Sequence, residues 1–158
     1  MRKCIYMLFP EGRPKALTTS YDDGVVQDIR LMGILDKYGI KGTFNLNSGR
    51  ISENEPETLP EWGALAKKSA VGLYKNSGHE VAVHSLTHPA LEMIPLSLAY
   101  SEILEDRKNL EALFGGIVRG MAYPQGTYSD EVVRCLKDCD IAYARTTQPS
   151  EGFSLPKD

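Results

Sequence analysis

Two short stretches of the chain hold residue types that do chemistry, at spacings that allow it. The first is Thr18-Thr19-Ser20-Tyr21-Asp22-Asp23-Gly24, where a β-favouring run ends on adjacent carboxylates and a glycine then lets the backbone turn sharply. Side chains alternate along a strand, so neighbouring aspartates at its end need not face the same way. One can hold a metal ion while the other stands beside a metal-bound water as a base. The same Asp-Gly pair also suits a plain turn leading into a helix. The second stretch is His84-Ser85-Leu86-Thr87-His88, closed by Pro89. Imidazoles at i and i+4 can share one face of a helical turn or loop. Two histidines and one carboxylate, with open coordination positions, describe a catalytic metal site rather than a closed structural one. Zinc, cobalt, nickel and iron(II) all accept such ligands. An ion of this kind polarises a carbonyl and lowers the pKa of a bound water toward ~7. His79, the remaining histidine, falls in a strand pattern and reads as structural.

The elements that must position these residues alternate in type. Residues 16–21 read as a strand, 25–38 as a helix stopped by Gly39, and 41–46 as a second strand. A polar loop follows over 47–60, then a helix over about 59–74 ended by Asn76-Ser77-Gly78. Residues 79–83 form a third strand leading into the histidine pair, and a long amphipathic helix spans 96–114 up to Gly115-Gly116. A short fourth strand over 119–123 is closed by Pro124-Gln125-Gly126. Ser129 caps a helix reaching about Cys139, and 141–145 is a fifth strand. Strands alternating with helices predict a parallel α/β sheet or barrel. Every polar constellation falls just after a strand, where such folds place their sites.

Composition narrows the field. The 158 residues suffice for a single domain, 1–158, with a real core. Hydrophobic residues at 42% and charged residues at 25% are ordinary for a soluble protein. A net charge of −3 gives no footing for nucleic acid or an anionic membrane. No apolar run approaches the ~20 residues of a membrane span. The short apolar start ends at Pro10-Glu11-Gly12 without a small-residue cleavage site, which predicts a cytoplasmic protein. Cys4, Cys135 and Cys139 form no CxxC and read as free thiols.

Ser20-Tyr21-Asp22-Asp23-Gly24, together with Gly78-His79-Glu80-Val81-Ala82-Val83-His84-Ser85-Leu86-Thr87-His88-Pro89, resembles the first two motifs of the polysaccharide deacetylases, the NodB-homology group of carbohydrate esterase family 4. The likeness runs from about Lys15 to Thr147. It implies an incomplete or distorted (β/α) barrel and hydrolysis of N-acetyl groups from an amino-sugar polymer or oligomer. It further implies Asp22 as general base, and Asp23, His84 and His88 as ligands of one divalent metal, zinc first, with cobalt, nickel or iron as alternatives.

Later motifs depart from the family. Its third usually reads Arg-x-Pro-Tyr-Gly, whereas Ala122-Tyr123-Pro124-Gln125-Gly126 stands here, with alanine for arginine and glutamine for the aromatic. The backbone N–H of Gln125 can still donate to a developing oxyanion. Tyr123 and Pro124 line the substrate groove or simply pack. Arg119 lies three residues early. Arg145, after the fifth strand, either supplies the missing cation or is a surface ion-pair arginine. The fourth motif's tryptophan has no match beside Asp140, since Trp62 lies elsewhere, and no histidine follows His88 to match the fifth. The expectation is therefore a domain lacking its C-terminal part, with exposed sheet edges that favour self-association and with weak activity. Two other functions stay open: hydrolysis of non-sugar C–N bonds, and non-catalytic carbohydrate binding.

Overall fold

Residues 42–46 and 80–83 carry Phe44, Leu46, Val81 and Val83 in β-favouring runs, and they become inner strands of the sheet. The computed structural model describes residues 8–58, 60–61, 63–149 and 151–152. Cys4 and the rest of the apolar start to Met7, Leu59, Trp62 and the closing Leu155-Pro156-Lys157-Asp158 lie outside the described residues.

Among the described residues five strands form one sheet: β1 (Thr19–Asp22), β2 (Gly42–Leu46), β3 (Glu80–Val83), β4 (Gly120–Ala122) and β5 (Tyr143–Arg145). They lie in chain order and every pairing is parallel, with Asp22 opposite Asn45 and Leu46 opposite Val83. Parallel neighbours need crossovers, and four helices supply them: α1 (Gln27–Lys37), α2 (Lys67–Tyr74), α3 (Leu96–Phe114) and α4 (Asp130–Asp138). The result is the expected α/β architecture in open form, a curled half-barrel. The curl is strong enough that a side chain on β5, Arg145, reaches Ser20 and Asp22 on β1.

Phe44, Leu46, Val83 and Met121 of the inner strands are at most 1% exposed, and they pack on apolar stripes of the helices. The stripe on α3 runs Ala99, Ile103, Leu110 and Phe114 at helical spacing, with Asp106 as its single polar member. Gly115 ends this helix in the left-handed region at φ 77°, a conformation open to glycine at little cost. Ser129 caps α4 by accepting the Val132 N–H, while Asp130 and Glu131 face the positive end of its dipole.

The helix expected over 59–74 is shorter: among the described residues of that range, only Lys67–Tyr74 is helical. Pro60 and Gly63 disfavour the preceding turn, and its backbone groups are taken by the Asp-Asp-Gly turn instead. Val26 N–H donates to Gly63 O, Leu65 N–H donates to Gly24 O, and Ala64 bridges Val25. The first strand also begins later than expected and runs through Asp22. Cys135 and Cys139 are buried free thiols. Among the described residues no helix is long and apolar enough to cross a membrane.

Candidate metal and catalytic site

Asp22 is the last residue of β1, and the two that follow leave the sheet in left-handed conformations, Asp23 at φ 75° and Gly24 at φ 64°. Glycine suits this region, and Asp is among the few other residues that enter it readily. The reversal sends the two carboxylates to different partners. Asp22 Oδ1 accepts from Asn45 Nδ2 at 2.9 Å and from Arg145 Nη2 at 2.5 Å. Asp23 turns toward the histidine loop, with Oδ1 3.7 Å from His88 Nε2.

His84, just past β3, is 2% exposed. Its Nδ1 lies 2.8 Å from the Ala122 carbonyl, an acceptor only, so Nδ1 carries the proton and Nε2 keeps its lone pair. Burial holds its pKa below the ordinary histidine value, which favours the neutral ring a metal requires. The His84 and His88 rings meet edge to face with centroids 4.7 Å apart. Ser85 and His88 both take positive φ, at 63° and 70°, and the Ser85 hydroxyl accepts the His88 N–H. Glu102 on α3 holds the intervening Thr87 through its N–H and hydroxyl. One ligand atom each from Asp23, His84 and His88 falls within 4.8 Å of the others. A set of two imidazoles and a carboxylate with one histidine tautomer already imposed fits a divalent cation with open positions.

The third-motif segment divides its duties. Ala122 has no cation to offer, but its carbonyl orients His84. Arg119 is exposed, and its charge acts on Glu111 rather than on the site. Arg145 reaches Asp22 from the far edge of the sheet, anchored also on the Ser20 hydroxyl. Gln125 turns at φ 60° with an exposed side chain. Tyr123 and Pro124 are both buried, so neither ring is a bare groove wall. Tyr123 stacks on Tyr128 at 5.1 Å, and Tyr128, 46% exposed, presents the aromatic surface here.

Sequence reasoning passed over several residues of the site. Asn45 donates to Ser20 Oγ, Tyr21 O and Asp22 Oδ1. Asn47 Nδ2 donates to the His84 and Ser85 carbonyls. Asp106 accepts from the N–H groups of Ser48 and His84. Their signal was legible: asparagine inside and directly after an apolar strand run, and aspartate on the buried stripe of a helix, are polar residues that need partners.

The family profile described as Polysaccharide deacetylase matches residues 10–144. YxkH of Bacillus subtilis (strain 168), described as a polysaccharide deacetylase, is 22% identical over 146 residues, covering 90% of this chain and 49% of its own. The Streptococcus pyogenes deacetylase PplD, solved in complex with acetate, superposes with a TM-score of 0.65 at 22% identity, covering 77% of this chain and 51% of its own. BA3943 of Bacillus anthracis, a CE4 family pseudoenzyme, gives 0.65 at 22% identity, covering 83% of this chain and 43% of its own. The chain thus spans about half the length of the relatives it matches. With most of its length matched by one profile and its curled parallel sheet shared with these structures, the chain belongs to the polysaccharide deacetylase family.

Proposed function

We propose that this chain is a metal-dependent hydrolase that removes N-acetyl groups from an amino-sugar polymer or oligomer. The observation that carries this function is the convergence of Asp23, His84 and His88 beside a separate aspartate, Asp22, that an arginine and an asparagine hold in place. The acetate bound to PplD is the product such a reaction releases.

Asp23, His84 and His88 would hold one divalent ion, zinc first, with cobalt, nickel or iron as alternatives. When bound, such an ion polarises a carbonyl and lowers the pKa of water. The chain's own residues do the rest. Both side-chain hydrogen bonds to Asp22 fall on Oδ1, which leaves Oδ2 to take the proton of the attacking water. Arg145 keeps the carboxylate aimed and answers for the arginine that Ala122 replaces. The Gln125 N–H donates to the oxyanion, and Tyr128, backed by Tyr123 and Pro124, offers a face for a sugar ring. Expelling the amine then requires a proton on nitrogen. Of the three histidines, two are ligands and His79 lies at the opposite end of β3, so slow turnover is expected from these 158 residues alone. A second reading, carbohydrate binding without turnover, is favoured by Ala122 and by the likeness to a pseudoenzyme.

The test compares two adjacent substitutions in the zinc-loaded protein. Asp22→Asn should keep the metal and lower acetate release from N-acetylglucosamine oligomers by roughly 10²–10⁴. Asp23→Asn should weaken the metal itself. The opposite pattern would exchange the two roles. Oligomer binding without acetate release, from the metal-loaded protein, would select the second reading, and turnover of cyclic amides alone would move the substrate class.

A further inference from the structure

The Ser48–Arg50 turn after β2 forms a wall of the site to which the proposed chemistry assigns no role. It is pinned to the histidine loop and to α3 at successive residues. Asn47 Nδ2 donates to the His84 and Ser85 carbonyls, at 2.5 and 2.8 Å. The Ser48 N–H donates to Asp106 Oδ1 at 2.7 Å, and the Gly49 N–H to Leu86 O at 3.0 Å. Gly49 lies so close to that loop that a Cβ would sit 2.6 Å from the Leu86 carbonyl oxygen, so the approach requires glycine. Arg50 therefore departs from a held base, and its Nη1 donates to Asp23 Oδ1 at 3.2 Å.

We infer that Arg50 is a positioning residue for the metal ligand Asp23, an inference that rests on the assignment of Asp23 as a ligand. The Asp23 side chain is 41% exposed and rises from a left-handed backbone, and the Arg50 hydrogen bond is what holds its carboxylate in place. A carboxylate oxygen has two lone pairs. One accepts the Arg50 guanidinium, and the same Oδ1 lies 3.7 Å from His88 Nε2, with its other lone pair available to an ion there. Two effects of opposite sign meet here. The guanidinium repels a cation, but at 49% exposure that repulsion is weakened by water and salt. Orientation by a hydrogen bond is short-ranged and survives both, and removing such a partner of a ligand typically costs about 10–100-fold in metal affinity. Orientation wins.

The experiment titrates zinc and cobalt into metal-free wild type, Asp23→Ala, Arg50→Met and Arg50→Lys. Affinity and the cobalt absorption spectrum are followed, with circular dichroism as the check on folding. Arg50→Met keeps the apolar stem and removes the donor. It should lose about 10–100-fold in affinity and change the cobalt spectrum, with Arg50→Lys recovering part of the loss. Arg50→Met binding as tightly as wild type, or more tightly, overturns the positioning role while leaving Asp23 a ligand. Wild type that binds no metal, or Asp23→Ala that binds like wild type, overturns the ligand assignment and this inference with it.

Discussion

The two ends of the same parallel sheet each carry a buried histidine near an aspartate, and among the described residues only one end gathers a cluster that could hold a metal ion. At the N-terminal end, His79 has a side chain with no exposure; its Nδ1 accepts the Gly42 N–H at 3.1 Å and its Nε2 lies 3.2 Å from Asp36 Oδ1. A backbone N–H forces Nδ1 to be the acceptor, so Nε2 carries the proton toward the carboxylate. Lys41 completes the cluster by pairing with Asp36 and donating to Ser77 O, and the ring packs edge-on to Phe44. Both nitrogens are spent. At the C-terminal end, His84 gives one nitrogen to a carbonyl and keeps the other lone pair for the open side. The two rings hold opposite tautomers, each imposed by a backbone group of opposite polarity. What separates a histidine able to bind an ion from a structural one is the partner of its second nitrogen, more than its burial or its strand.

This contrast breaks most readily on metal content. His84→Ala and His88→Ala should abolish stoichiometric binding of a divalent ion, measured by elemental analysis after dialysis. His79→Ala, in protein that remains folded, should keep the ion in full and lose about 1–3 kcal/mol of stability, because the Gly42 N–H is left without its acceptor. Metal loss in folded His79→Ala, or retention in His84→Ala, would erase the distinction between the two ends.

The supports of the two ends sharpen it at smaller scale. Asp106 is fully buried, and burial pushes its carboxyl up to about 7 even though it accepts two backbone N–H groups. Desolvation thus offsets part of what those bonds contribute. Asp106→Ala should still destabilise the protein, by about 1–3 kcal/mol in urea unfolding, since the Ser48 N–H loses its acceptor. Asp36→Ala, on an exposed carboxylate, should cost less. The reverse order would make the N-terminal cluster the firmer one.

The smallest effect is in pH. Burial lowers the His84 pKa from its ordinary 6.5, so the unfolded chain takes up a proton that the folded one refuses. Stability of the metal-free protein should therefore fall as pH drops through 6.5 and keep falling until the folded ring titrates. Asp36 behaves differently. Its carboxyl is held below its ordinary 3.8, first by the hydrogen bond from Lys41, so the stability it contributes is present above 3.8 and lost only in stronger acid. Melting temperatures of metal-free wild type and His84→Gln across about pH 5–8 check the first window, where the variant's curve should be the flatter one. Parallel curves would show that burial of His84 carries no proton linkage.

Much of this was legible beforehand. Alternating strands and helices pointed to the parallel sheet, and the Asp-Asp-Gly turn with histidines at i and i+4 held the residues that the structure brings together, while only the resemblance to a family singled out Asp23 of the two aspartates. Those signals are local, since each depends on residues within one element or one turn. The overextended helix before Lys67 shows the limit: apolar periodicity ran past Pro60 and Gly63, but the backbone there bonds to residues far back in the chain.

Residue order alone therefore determined which side chains stand at the ends of the strands and how they are spaced along the chain. Only the tertiary structure decided which nitrogen of each histidine stays free, because that is set by the Ala122 carbonyl and the Gly42 N–H, donated from other strands. It also brought Arg145 onto Asp22 across 123 positions of sequence. A sheet that curls places its first and last strands within reach of one side chain, and curl comes from the summed twist of all five strands together.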